Sequence, residues 1–231
     1  MTSESFRIVD DFYNDPLAVR EEALNAVYQP DEQYGGFDSV KSFHADEAMR
    51  KIEKVLGVQI RWDNITGYFH LSTAKDRGPF DIHADTMLPE NPFPQWTGVC
   101  YLTLPKDCQG GTSFWRHNKT GLTRYPNTEE KDKVSQTCQI SNTTESMVHY
   151  FIIQEGHDRS RWTQVEQIPM AFNRLILLRS NLFHSHTCHF GDSRENGRLT
   201  QVFGCDEVDY VVQRSLSRSH LTVPLTRTIS P

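Results

Sequence analysis

Hydrophobic positions along the chain follow two regimes that change near Gly57. Before it, apolar residues recur at helical spacing. Asn14-Asp15-Pro16 supplies a capping residue and a proline suited to the first helical position. Leu17, Val19, Ala23, Leu24 and Val27 then continue an amphipathic helix. Ala45 to Leu56 predicts a second helix, with Met49, Ile52 and Leu56 on one stripe. Phe6 to Val9 predicts a short strand, and Tyr34-Gly35-Gly36 is a glycine-rich break between the helices.

After Gly57 the chain turns to β-branched and aromatic runs. Ile65–Thr73, Val99–Leu104 (stopped by Pro105), Leu175–Leu178, Leu182–Thr187 and Leu199–Phe203 each predict a strand, and Gln109 to Trp115 reads as a turn feeding another. Short strands punctuated by turn residues favour a sandwich or barrel over a doubly wound sheet. Two segments stand apart. Thr128 to Ser146 is polar, with mixed charges at Glu129, Glu130, Lys131, Asp132 and Lys133, and predicts a long surface loop or lid. From Ser215 the tail is Ser/Thr/Arg-rich without an acidic residue, and is expected either to wrap the core or to stay mobile.

Composition narrows this picture. At 231 residues, 37% hydrophobic and 23% charged, the chain suits one buried core and discourages a second domain. A net charge of −6 disfavours nucleic acid as the main partner. The five cysteines (Cys100, Cys108, Cys138, Cys188, Cys205) form no C-x-x-C pair, so reduced thiols and a cytoplasmic location are expected. The opening MTSESFRIVDDFYNDP lacks the basic start and apolar run of a secretion signal, and no stretch has the length to span a bilayer. The sequons at Asn64, Asn118 and Asn142 are then chance matches.

Candidate chemistry gathers at His83-Ala84-Asp85, His184 and Arg198. Residues two apart on a strand share a face, so His83 and Asp85 can converge on one ion. Alone, such a tripeptide is weak evidence, arises often by chance and reads as a hydrogen-bonded surface pair. With a distal histidine it completes two imidazoles and one carboxylate, the ligand set of a non-haem Fe(II) site with open positions. A guanidinium beside it can hold a carboxylate by two parallel hydrogen bonds. His184 and His186 share a face of the same predicted strand and either could bind metal, whereas His189 opposes them. His70, in a predicted strand, could line the pocket; His44, His117, His149, His157 and His220 read as ordinary solvated or hydrogen-bonded histidines, Asp81 as a surface carboxylate and Trp115 as packing. No nucleophile elbow, H-E-x-x-H, P-loop or G-x-G-x-x-G occurs.

With these residues in view, the segment from about Ile65 to Asp206 resembles the 2-oxoglutarate/Fe(II)-dependent oxygenases, especially their prolyl-hydroxylase-like branch. That family carries His-x-Asp, a distal His and, ten to fifteen residues on, an Arg or Lys; His83, Asp85, His184 and Arg198 match. Gly110-Gly111-Thr112-Ser113-Phe114 is similar to the strand between the family's metal motifs, with its threonine one place early. Tyr101 falls where a tyrosine reaches the 2-oxoglutarate tail, and Arg198-x-Thr200 resembles the family's Arg-x-Ser. The preceding Leu-Phe and the fourteen-residue gap to Arg198 favour His184 over His186 as distal ligand. Asp85 argues against halogenation, for which the family substitutes a small residue.

The resemblance implies a mainly β fold: a double-stranded β-helix (jelly roll, cupin-like) with flanking N-terminal α-helices. Residues 1–58 would give helical support, 59–208 the core with a polar loop at 124–147, and 209–231 a C-terminal tail. It also implies Fe(II) held by His83, Asp85 and His184, with 2-oxoglutarate as co-substrate anchored by Arg198, Tyr101 and Thr200, and O2 as oxidant. The expected activity is hydroxylation of a small molecule, such as an amino acid or biosynthetic intermediate. A degenerate jelly roll that binds a ligand or protein, and a metal hydrolase or isomerase without 2-oxoglutarate, are the competing readings.

Overall fold

A computed structural model describes residues 5–62, 66–85 and 95–208. Its strands are β1 (Phe6–Val9), β2 (Tyr28–Pro30), β3 (Phe37–Ser42), β4 (Ile60–Trp62), β5 (Tyr68–Ser72), β6 (Trp96–Tyr101), β7 (Gly111–His117), β8 (Trp162–Pro169), β9 (Leu175–Arg179), β10 (His184–His186) and β11 (Arg198–Glu207). Its α-helices are α1 (Pro16–Asn25), α2 (Ala45–Leu56), α3 (Thr128–Cys138) and α4 (Thr144–Val148). The 209–231 tail, with His220, and Asn64 and Ile65 of the sequence expectations lie outside the described residues.

The larger sheet runs β1-β9-β6-β11-β5-β3-β2, with β4 also on β11; the smaller runs β10-β7-β8. All pairings are antiparallel. His83 extends the smaller sheet through a bridge to His184. From β5 onward the chain alternates between layers: β5 in the large sheet, His83 in the small, β6 in the large, β7 and β8 in the small, β9 in the large, β10 in the small and β11 in the large. This is the winding of a double-stranded β-helix, a jelly roll.

Strand periodicity explains the layering. On β6, Trp96 and Cys100 join the core beneath α1 and α2, with Val19, Ala23, Ala48 and Ile52. The alternate residues Val99 and Tyr101 turn inward, toward Phe114 and Ile168 of the small sheet. On β9, Leu175 and Leu177 face the helices while Ile176 and Leu178 face the small sheet. The helical N-terminal support is present, but the same segment also contributes β1, β2 and β3 to the large sheet.

The expected polar loop at 124–147 is instead mostly helical. The Asn127 side chain accepts the Glu130 amide while the Glu130 carboxylate accepts the Asn127 amide, a reciprocal cap on α3. Arg124 fixes that carboxylate with two bonds of 2.7 and 3.0 Å. The few apolar residues suffice because Val134 and Cys138, four apart, bury one stripe, and Met147 of α4 joins the same core. Replacing Asn127 with Ala should cost about 1 kcal/mol in urea denaturation and Asn127→Ser only a fraction of that; equal losses would show that the cap does not hold α3.

Candidate metal centre

His83 and Asp85 lie on a short extended stretch pinned to the small sheet. The His83 amide donates to the His184 carbonyl at 3.0 Å and the His184 amide returns the bond to His83 at 2.8 Å. The Asp85 amide donates to the Ser180 carbonyl at 2.7 Å. Ligand atoms of His83, Asp85 and His184 all come within 4.8 Å of one another. Asp85 Oδ1 is 3.5 Å from His83 Nε2, and Asp85 Oδ2 is 3.7 Å from His184 Nε2. Asp31, Asp38 and His70 form a second group of this kind.

Each triad imidazole bonds through Nδ1 to the carbonyl two residues before it. His83 reaches Asp81 at 2.8 Å and His184 reaches Leu182 at 2.9 Å. A carbonyl only accepts, so Nδ1 carries a proton and Nε2 is the nitrogen turned to the centre; burial lowers the His83 pKa, but the Asp85 carboxylate outweighs it and raises the group overall. Burial would raise the Asp85 carboxyl, but His184, His83 and the Thr97 hydroxyl outweigh it and bring it to about 2. Burial, reinforced by His83, pushes His184 down to about 4. Thr97 donates to Asp85 Oδ2 at 2.6 Å and contacts Ser180 Oγ at 2.9 Å, which fixes the carboxylate plane. An ionised carboxylate and two Nε2 atoms facing one point fit a divalent transition-metal ion.

Three further groups bear on this centre without having been singled out for it in the sequence. Arg159 ties together the two ligand-bearing stretches. Its Nε and Nη2 donate to both Asp81 oxygens at 2.7 and 2.9 Å, and its Nη2 and Nη1 donate to the His186 and Thr187 carbonyls, each at 3.0 Å. Asp81 is therefore an ion-pair partner rather than a free surface carboxylate. Tyr34 lays its ring 4.5 Å from that of His83. The next residue, Gly35 (φ +80°), lets the Arg77–Gly78 backbone pack against this turn, since a Cβ there would sit 2.5 Å from the Gly78 nitrogen. Thr112, one place early for the motif, meets the Tyr101 hydroxyl at 2.6 Å and so joins the two sheets.

Arg198, Thr200 and Tyr101 come together on the inner face. Thr200 pairs with Tyr101 across β11 and β6, and the Arg198 guanidinium lies 5.9 Å from the Tyr101 ring. Arg198 is 9% exposed, yet its Nε has no partner and its best contact is a long 3.5 Å bond to Thr200 Oγ1. No carboxylate pairs with it among the described residues. His186 points elsewhere than the triad: its Nε2 is 2.7 Å from His189 Nε2, and burial with nearby Arg198 and Arg159 drives it down to about 2, so it stays neutral. A cavity of about 440 Å3 lies alongside, lined by Phe80, Asp81, Arg159, His186, Cys188 and His189 among others. Trp115 packs as expected but also donates to Ser185 Oγ at 3.0 Å. His117 is fully buried, with Nε2 3.5 Å from Glu155.

The chain belongs to a family described as "Family of unknown function (DUF6445)", whose model matches residues 1–203. No curated protein matches it. Similar solved structures include a prolyl hydroxylase from Trichoplax adhaerens in complex with a hypoxia inducible factor oxygen degradation domain peptide. It is 13% identical with TM-score 0.46, over 93% of this chain and 88% of that one. The non-heme alpha ketoglutarate dependent carbocyclase SnoK from nogalamycin biosynthesis is 12% identical with TM-score 0.49, over 100% and 94%. HygX from Streptomyces hygroscopicus, with nickel and 2-oxoglutarate bound, is 13% identical with TM-score 0.46, over 90% and 88%. At such identities the likeness is one of fold.

Because Arg159 ties Asp81, behind His83, to the strand that carries His184, Arg159→Met should weaken Co(II) binding by about 10–100-fold, with Arg159→Lys in between. Calorimetric titration measures this, and wild-type affinity in both variants would mean that the strap does not orient the ligands.

Proposed function

We propose that this chain is a non-haem Fe(II)- and 2-oxoglutarate-dependent dioxygenase of the hydroxylase type. Its substrate in this reading is a small molecule such as an amino acid or biosynthetic intermediate. The observation that carries it is the pairing of a two-histidine, one-carboxylate triad with a buried guanidinium that has no counter-ion among the described residues. A fully desolvated, unpaired cation costs several kcal/mol, and a bound carboxylate removes that cost. A metal hydrolase or isomerase would use the triad but leave Arg198 unexplained.

In this reading His83, Asp85 and His184 hold Fe(II) and leave its other positions open. When bound, iron with 2-oxoglutarate and O2 supplies the oxidising power that no side chain here has. The residues do the rest. Arg198 grips the distal carboxylate of 2-oxoglutarate, and its planar fork fixes the orientation. Thr200 and Tyr101 add hydroxyls beside it, and Thr112 holds the Tyr101 hydroxyl in place. Thr97 keeps one Asp85 oxygen occupied so that the other stays directed at the ion. The jelly-roll walls, Tyr101 and Phe114 among them, keep bulk water from the pocket.

All five cysteines are free and no described helix is long and apolar enough to cross a membrane; we place the protein in the cytoplasm. The class is tested by O2 consumption coupled to succinate release from 2-oxoglutarate; neither, across a metabolite panel, would sink it. Asp85→Ala should abolish metal-dependent turnover, and unchanged succinate formation would remove Asp85 from the ligand set. Arg198→Ala should weaken 2-oxoglutarate binding by about 2–5 kcal/mol while Fe(II) still binds; an unaltered co-substrate titration would take Arg198 out of this role.

A further inference from the structure

The second carboxylate group shares the interior with the triad. Antiparallel partners point to one face, so the register aligns Asp38, His70, Thr200 and Tyr101 in one row across β3, β5, β11 and β6. Arg198 and Ser72 form the next row on the same inner face. Asp38 Oδ1 is 2.8 Å from His70 Nδ1, and Asp31 Oδ2 reaches the same nitrogen at 3.8 Å. Their side chains are only 29% and 11% exposed, yet among the described residues no Lys or Arg pairs with either. Even with His70 protonated, two carboxylates around one imidazole leave a negative charge uncompensated.

A second observation connects this charge to the triad. Asp31 Oδ1 accepts the amide of Tyr34, whose ring rests on His83. Tyr34 thereby links the acidic pair to the metal ligand His83, and Tyr68 lies two residues before His70 on β5, on the same face. Both tyrosines are half-buried, burial raises the pKa of each phenol, and neither hydroxyl has a hydrogen-bond partner among the described residues. Excess carboxylate with idle hydroxyl acceptors, facing a metal site, calls for a donor-rich cation.

We propose that the substrate carries a cationic nitrogen, an ammonium or guanidinium, seated against Asp31 and Asp38 with Tyr34 and Tyr68 beside it. This deepens the oxygenase reading and rests on it for the reaction, but not for the binding.

Calorimetric titration of the full chain with n-pentylamine, agmatine and n-pentanol tests it, metal-free and with anaerobic Fe(II) and 2-oxoglutarate. The amines should bind at least tenfold tighter than the alcohol. Asp38→Asn and Asp31→Asn should each weaken amine binding tenfold or more, whereas Asp38→Glu should stay within a few-fold. Asparagine at 31 keeps an oxygen to accept the Gln33 and Tyr34 amides, so this variant tests charge without removing the loop's own bonds. Equal binding of amine and alcohol, or wild-type amine binding in both Asn variants, overturns the proposal. So does a second equivalent of Mn(II) that binds the wild type and is lost in Asp38→Asn, which would make the group a metal site. Charge-dependent amine binding without a Fe(II)–2-oxoglutarate absorption band would sink the oxygenase reading and leave this site standing.

Discussion

Two backbone hydrogen bonds, exchanged between His83 and His184, set the position of everything at the centre. They join stretches about a hundred residues apart and make the two histidines direct cross-strand neighbours, with ring centroids 4.4 Å apart. The rings are then oriented by the same local device on each side, an Nδ1–H bond to the carbonyl two residues upstream. Neither tautomer depends on a distant side chain, so the backbone that places the ligands also fixes which nitrogen each one offers. Asp85 follows because it sits two positions beyond His83 and is held by the Ser180 carbonyl and the Thr97 hydroxyl.

Around this frame the interior sorts its charges. Arg159 is neutralised by Asp81 and uses its remaining donors on carbonyls, so it acts as a tie rather than as an anion site. Arg198 is the opposite case: more deeply buried and, among the described residues, without a carboxylate. The difference cannot arise from packing alone, because both side chains have aromatic neighbours, Trp115 for Arg159 and Tyr101 for Arg198. It lies in what the fold supplies to pair with each. Desolvation lowers the pKa of Arg198, but a guanidinium keeps its proton in proteins, so the charge persists and calls for a counter-ion that no described residue supplies.

The His83–Asp85 pairing was legible in the sequence because residues at i and i+2 of a strand share a face, whereas the joining of His184 to them, and of Arg198 with Tyr101 and Thr200, was expected only from the family resemblance. Thr97 obeys the i, i+2 rule too, lying two and four places before the inward-facing Val99 and Tyr101, and it could have been read the same way. Tyr34 could not: a glycine break predicts that the chain turns, not where a side chain in the turn will point. Arg159 carries no local signal, since its partners lie 78, 27 and 28 residues away. β8 was missed because it is an edge strand whose middle residues are exposed, so WTQVEQIP shows no apolar alternation. α3 was hidden by its polarity, although Asn127 and Glu130 stood three apart as a reciprocal cap requires.

The two uncompensated charges have opposite sign, and this fixes direction as well as occupancy. Arg198 lies in the row next to His70, so cationic and anionic subsites share one inner face at different rows. A carboxylate placed at Asp31 and Asp38 would meet two like charges, and an ammonium placed at Arg198 would meet a buried guanidinium. Each exchange costs several kcal/mol of like-charge contact, which exceeds what a misplaced alkyl chain could recover. The neutral His186–His189 pair adds no charge of its own to blur this polarity. Two ligands of opposite charge would thus be sorted to their own sides of the triad before any shape complementarity is invoked. Under the proposed reading, the carbon a substrate would present to a metal held by the triad is the one whose distance from its cationic group matches the span between Asp31 and Asp38 on one side and the triad on the other.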